Sequence, residues 1–350
     1  MRVLLEDELF AAEHGLAVEL TGLFMLIWRQ PHRVMLYERN GPMFREWLQK
    51  RDPETREHID FVLATSLEAE ANEPPQELTI AIAAIAQIAT DEQYPVFPFH
   101  EALQMLAMPL HILLENDLSD GHFLLSVARR DDVRSELRRA HQRRWLKFEQ
   151  GGGITELTKK VKRREQSLAD TLRTWVMFDS DGLSDGDVSS DATRAEEACE
   201  SVERTYRWRR GSFFHRLERR AIENYIPPDS LVDWAKEQHR PFGGGRNHDT
   251  EKTLKRARAF ARLSREQRWH WHMKEGLQKN PEVLTTTFGD IHDPEHHVLW
   301  CGFGDRIANR FYTEQGFRGR SPNADDDRLL AADDENDELQ GMIRSLLRRL

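Results

Sequence analysis

The sequence predicts an α/β chain whose central unit is a parallel sheet flanked by helices. Two short, largely apolar runs carry that expectation: Leu110 to Leu114 (LHILL) and Thr174 to Phe178 (TWVMF). Each suits one buried strand and is too short for a helix. Both runs end in acidic loops that lead into helix-like stretches, the alternation that parallel strands with crossover helices require. At 350 residues with 39% apolar content, the chain is long enough for two domains and carries enough apolar surface for a sizeable core.

Residues 1–106 read as a mixed α/β first domain. Glu13 to Trp28 is helix-like, His32 to Tyr37 a short buried strand, Pro42 to Lys50 a helix, and Pro53 to Leu67 contains another. Glu68 to Gln76 is an acidic, proline-containing loop. Leu78 to Ala89 fits a strand or a buried helix, since periodicity does not separate them. Gln93 to Phe99, with Pro95 and Pro98, reads as a connector near the domain boundary.

The second domain covers 107–230. After LHILL, Ser119 and Asp120 suit the cap of a helix that runs to Arg130. A long basic helix follows, then a Gly151-Gly152-Gly153 turn, a helix from Ile154 to Gln166, and TWVMF. A helix from about Thr193 to Tyr206 and a third strand within Ser212 to His215 complete it. Residues 231–320 read as a basic, mostly helical extension, and 321–350 as an acidic tail with a terminal helix from Glu338 to Leu350.

The net charge of -10 is unevenly distributed. Residues 1–106 hold 8 Lys+Arg against 18 Asp+Glu, whereas Arg129 to Arg173 holds 14 bases against 7 acids and Arg204 to Arg220 holds 7 against one. Basic stretches around the acidic run Asp179 to Glu200 suit a polyanion bound over metal ions. No apolar run approaches the ~18 residues of a membrane span, and no secretory signal opens the chain. Two cysteines, Cys199 and Cys301, fit a reducing cytoplasm rather than a disulfide framework.

The chemistry concentrates where the strands end. Glu115, Asp117 and Asp120 follow the first apolar run, and Asp179 and Asp181 follow the second. If the extended geometry persists, Asp179 and Asp181 point the same way. Clustered carboxylates repel one another, and Mg2+ or Mn2+ relieves that repulsion with oxygen ligands and retained waters. HILLENDLSDGHFL (His111 to Leu124), GGGITEL (Gly151 to Leu157) and WVMFDSDG (Trp175 to Gly182), in that order, resemble the Toprim domain of topoisomerases, primases, RecR proteins and OLD-family nucleases. HRLERRAIENYIPP (His215 to Pro228) is similar to the Glu-Asn-Tyr segment of OLD-like Toprim proteins. The likeness covers about residues 107–230.

The resemblance implies that Glu115, Asp120, Asp179 and Asp181 bind metal, with Glu223 serving a second ion. Two departures stand out. Asn116 replaces the Gly that usually follows the Toprim Glu, and one extra residue separates Glu115 from Asp120, so Asp117 and Asp120 compete for the second-carboxylate role. Asp120 is preferred because Ser-Asp-Gly opens the helix. Some OLD-like nucleases use a downstream lysine to neutralise transition-state charge; Lys274, expected in a helix over Leu263 to Gln278, is the candidate. Arg143, Arg144, Lys159, Lys160, Arg219 and Arg220 are candidate phosphate contacts.

These expectations amount to a cytoplasmic, metal-dependent nuclease that cuts DNA or RNA, in the manner of anti-phage effectors. It would act as a homo- or hetero-oligomer with no membrane role. Pro241 to Arg246 (PFGGGR) lacks the context of a Walker A motif, so any ATPase would be a separate subunit. The histidines around His270, His272, His292, His296 and His297, with Cys301, lack the CxxC pairing of a structural zinc site. A topoisomerase, a RecR clamp or a primase would need modules not identified here. The alternatives are a catalytically inactive Toprim-like binding or assembly subunit and, ranked last, a phosphotransferase with Asp179 as nucleophile.

Overall fold

The structure, a computed structural model, describes residues 1–11, 14–36, 41–72, 78–90, 94–128, 131–208, 212–239, 248–281, 286–289, 291, 297–313, 316–317 and 338–350. It is an α/β protein with two mainly parallel sheets flanked by helices.

The first sheet contains β1 (Arg2–Leu5), β2 (Arg33–Leu36), β3 (Thr79–Ala83), β4 (Ala89–Thr90) and β5 (Pro95–Pro98) in the order β2-β1-β3-β5-β4. All pairs are parallel except β4 with β5. Helices α1 (Ala17–Arg29), α2 (Pro42–Gln49), α3 (Pro53–Asn72) and α4 (Phe99–Ala107) accompany it. Val3, Leu23, Phe24, Ile80, Phe97 and Met105 share one buried core. The expected connector around Pro95 and Pro98 is instead β5, paired with β3 through Ala81 opposite Val96 and Ile82 opposite Phe97. Its prolines occupy the first and last strand positions, where a missing N–H disturbs the ladder least. The ambiguous stretch after Leu78 resolves as the strand β3.

The second sheet contains β6 (Leu110–Leu114), β7 (Leu146–Gln150), β8 (Thr174–Phe178) and β9 (Phe214–Arg216), all parallel, in the order β7-β6-β8-β9. The inner strands are apolar because both faces are covered. Leu110, Ile112, Leu114, Trp175 and Met177 enter one core, and Leu113, Val176 and Phe178 enter the other. On the first face lie α5 (Ser119–Val127) and α6 (Asp131–Gln142). On the second lie α7 (Ile154–Arg164) and, after the short α8 (Leu168–Leu172), α9 (Ser190–Thr205).

The long basic helix expected before the glycine turn is shorter than predicted. It stops at Gln142, the chain reverses through Arg144 (φ 59°), and LKFEQ becomes the edge strand β7. The terminal helix Glu338–Leu347 is no loose tail: Leu339, Met342, Ile343 and Leu346 complete the core beside α5. Residues 321–337, His292, His296 and the PFGGGR turn lie outside the described residues. Among the described residues, no helix is long and apolar enough to cross a membrane.

Candidate metal and phosphate site

From β6 the chain crosses to β7 on one side and then to β8 on the other. The carboxyl ends of β6 and β8 therefore border the point where strand order reverses, the place where open α/β sheets leave a crevice. Glu115 immediately follows β6 and Asp179 immediately follows β8. Glu115 Oε1 accepts a hydrogen bond from the Asp179 backbone N–H at 3.0 Å, tying the two strand ends together.

The β6 loop is closed by Asn116. Its Oδ1 accepts from the backbone N–H of Leu118 and of Ser119 at 3.1 and 3.0 Å, an Asx-type turn that opens α5. The expected capping by Ser119 and Asp120 is thereby corrected. Asp120 instead accepts from Asn116 N at 2.9 Å and from Ser119 Oγ at 3.0 Å, and is 8% exposed. Asp117 is exposed and does not line the carboxylate pocket. The glycine turn rests on the same strand end: Gly152 and Gly153, both at positive φ, donate backbone N–H groups to Glu115 O at 3.3 and 3.4 Å. A Cβ on Gly151 would lie 2.7 Å from Leu114 O.

The Asp179–Gly182 turn does not stay extended, contrary to expectation. Asp181 is left-handed (φ 51°), a conformation that aspartate tolerates better than most residues. Its N–H donates to Arg220 O at 2.9 Å, while Ser180 Oγ donates to Arg219 O at 3.0 Å. These bonds seat the turn against the segment after β9. Asp179, Asp181, Arg220, Glu223, His272 and Lys274 line a small pocket of about 40 Å³ there.

Four carboxylates thus share one end of the sheet, and each is held above its ordinary pKa. Burial raises Glu115 to about 7, with Asp120 and Asp181 adding to the effect and the Asp179 N–H opposing it. Burial raises Asp120 to about 6, reinforced by Glu223. Asp179 is pushed well up by burial and by Glu115 and Asp120. Asp181 reaches solvent, yet the protein packed around it still raises its pKa against the pull of Arg220 and Lys274.

Lys274 supplies the opposing charge. The predicted helix ends at His270 and Lys274 sits in the following turn, because the capping box at Ser264 and Gln267 starts only the short helix Arg265–His270. Its Nζ lies 3.2 Å from Glu223 Oε1. Burial works to lower the Lys274 pKa, but Glu223 and Asp179 more than reverse it, so the ammonium stays protonated. Glu223, 2% exposed on the turn Ile222–Tyr225, is paired with Lys274 in this structure.

The candidate phosphate contacts are less uniform than expected. Arg220 is 7% exposed and braces the pocket wall by donating to Asn280 Oδ1 at 2.8 Å and His270 O at 3.3 Å. Arg219 lies 4.4 Å from the Tyr225 ring centre and 4.8 Å from that of Trp269. Both are buttresses more than free phosphate ligands. Arg143 stacks over Trp145 at 5.0 Å, and Lys159 pairs with Glu156 at 2.6 Å. Lys160 donates to Gln150 O beside Glu149, on the far side of β7 from Arg144 in sequence.

Two contributors escaped the sequence reading, and a third, His272, was read only among the histidines weighed for zinc. Asn280 holds Arg220, His272 lines the pocket with its pKa depressed to about 4 chiefly by burial, and Glu338 reaches in from the terminal helix. Glu338 Oε1 accepts from Glu218 N at 2.8 Å and from Tyr225 OH at 2.7 Å, with His215 Nε2 at 3.1 Å. Nothing local marks Asn280 or Glu338, since their partners are 60 and more than 100 residues away.

Among the described residues, no three His, Cys, Asp or Glu side chains are placed to grip an ion together. The donor set nevertheless fits a hard divalent cation, because Mg2+ is commonly held by one or two carboxylates with waters and substrate phosphates. Glu115, Asp120, Asp179 and Asp181 would hold it. Comparison with protein-family profiles, curated proteins and solved structures finds no match.

Proposed function

We propose that this protein is a Mg2+- or Mn2+-dependent Toprim-type nuclease that cleaves phosphodiester bonds in DNA or RNA. The observation that supports it most is the gathering of four carboxylates of raised pKa, one buried, two half-buried and one at the solvent edge, at adjacent parallel strand ends, with one protonated lysine beside them. When bound, the divalent ion would activate water and offset the phosphate's charge. Lys274, released from Glu223, would place its ammonium on the phosphate as negative charge develops there. Arg220 and Asn224 keep the pocket wall in position, the latter by donating to Arg268 O and Trp271 O at 2.8 and 2.9 Å. The exposed Arg143, Arg144 and Lys159 give sequence-independent, salt-sensitive backbone binding. In this reading the protein works in the cytoplasm as an oligomer, as anti-phage effectors do, with any ATPase on a separate subunit.

The Glu223–Lys274 pair also supports a second reading, an inactive module that binds or assembles, because it satisfies the lysine without substrate. Incubation with supercoiled plasmid, single-stranded DNA and RNA, with and without Mg2+ or Mn2+, separates the two. The nuclease reading expects metal-dependent cutting that Glu115→Gln and Asp179→Asn abolish. Binding without cutting under every condition, in wild type and variants alike, would favour the second.

A further inference from the structure

Outside the carboxylate pocket, a cleft of about 750 Å³ runs along the edge strand β7. One wall is Leu118, just before α5, with His122 and Leu125 of α5; the other is His141 at the end of α6, Arg144 in the turn that follows, and Lys147 and Phe148 of β7. The volume lies in the roughly 300–1,000 Å³ range of small-ligand sites. Asp117 and Leu118, at its rim, lie in the chain between Glu115 and Asp120, so the cleft begins within a few residues of two of the carboxylates.

Its chemistry is that of a nucleotide site. The His141 and Phe148 rings stack with centres 4.9 Å apart and planes 27° apart. Phe148 lies so close to α5 that a Cβ on Gly121 would approach it to 2.7 Å, so this glycine is what admits the ring. Leu118 is 58% exposed, an apolar lip beside those rings. Arg144 and Lys147 are exposed cations on the opposite wall. Arg144 occupies φ 59°, a conformation costing a non-glycine residue about 1 kcal/mol, so an arginine sits where glycine would be easier.

We propose that this cleft takes an unpaired base and its phosphate from a single-stranded nucleic acid. The base lies against the Phe148–His141 pair, and Arg144 and Lys147 hold the phosphate. This rests on the nucleic-acid reading above and narrows it: the substrate is single-stranded beside the cut. A base in a duplex is stacked and paired and cannot enter.

The test uses the full chain in chelator, where nothing is cut, with fluorescence anisotropy of a labelled short oligothymidylate, the same oligomer carrying abasic positions, and a duplex. Binding of the oligothymidylate should weaken about tenfold with abasic positions and with Phe148→Leu, as loss of one base stack implies. Arg144→Gly and Lys147→Gln should each weaken it several-fold. Arg144→Gly also relieves the left-handed backbone, so its melting temperature should not fall, which separates lost binding from lost folding. Equal affinity of wild type and all three variants, or tighter binding of duplex, would overturn the proposal. Metal-dependent cleavage that needs Glu115 but is untouched by Arg144→Gly and Phe148→Leu would refute the cleft and leave the nuclease standing. Arg144-dependent binding without any cleavage would do the reverse.

Discussion

Replacing Glu115 by Gln should stabilise the metal-free protein at alkaline pH while abolishing the proposed cleavage. In the fold, burial and its acidic neighbours raise the Glu115 pKa from 4.5 to about 7, so ionisation is costlier there than in the unfolded chain. At about 1.4 kcal/mol per tenfold change in proton affinity, that cost approaches ~3 kcal/mol once both states are ionised. A raised pKa means the favourable contribution is whole below about pH 4.5 and is lost as pH rises through about 7. Gln keeps an oxygen to accept from Asp179 N and cannot ionise. The assay is a chemical or thermal melt of wild type and Glu115→Gln in chelator from pH 5 to pH 8.5. Other titrating groups largely cancel in the difference between the two proteins. The variant should be near wild type at pH 5 and more stable by roughly 2–3 kcal/mol at pH 8.5, the lower figure allowing for coupling to Asp120, Asp179 and Asp181. A difference independent of pH, or a variant less stable at pH 8.5, would refute the claim that these carboxylates are held together against their mutual repulsion.

Adding Mg2+ or Mn2+ to the wild type at pH 8 should raise its melting temperature, and Asp179→Asn should blunt the rise; calorimetric scans decide it. Lys274→Met leaves the buried Glu223 carboxylate unpaired and should cost about 3 kcal/mol in denaturant titrations, with Lys274→Arg recovering most of it. Asn116→Ala removes both bonds that open α5 and should cost about 1 kcal/mol in the same titration, more than Asn116→Asp. Gly151→Ala pushes a methyl against Leu114 O and should destabilise by about 1–3 kcal/mol, with hydrogen exchange quickening at the end of β6.

The strands that position the site could be read in the sequence because they are inner strands. LHILL and TWVMF bury both faces, and that leaves a run of apolar residues no other element explains as simply. β7 could not be read in the same way. LKFEQ is an edge strand with one fully buried residue, Leu146, set directly after a basic helix whose charge pattern it continues. β5 was hidden by its prolines, although they stand at its two ends. The acidic side chains were visible as strand-end carboxylates, but their surroundings were not. Lys274 meets Glu223 from a turn, Asp181 turns left-handed against Arg220 O, and Arg220 is claimed by Asn280, all through pairings 39 to 60 residues apart that no local pattern encodes.

The Glu338 clamp also sets an order of events during synthesis. Tyr225 and Glu338 are 113 residues apart, so at ~5–20 residues per second the ribosome needs roughly 6–23 s between making one and the other. Throughout that interval the segment bearing Arg219, Arg220 and Glu223 lacks its anchor, and the face of α5 that receives Met342, Ile343 and Leu346 is open. A nascent chain therefore carries every acidic residue of the site before the segment after β9 is clamped at Tyr225 and Glu218.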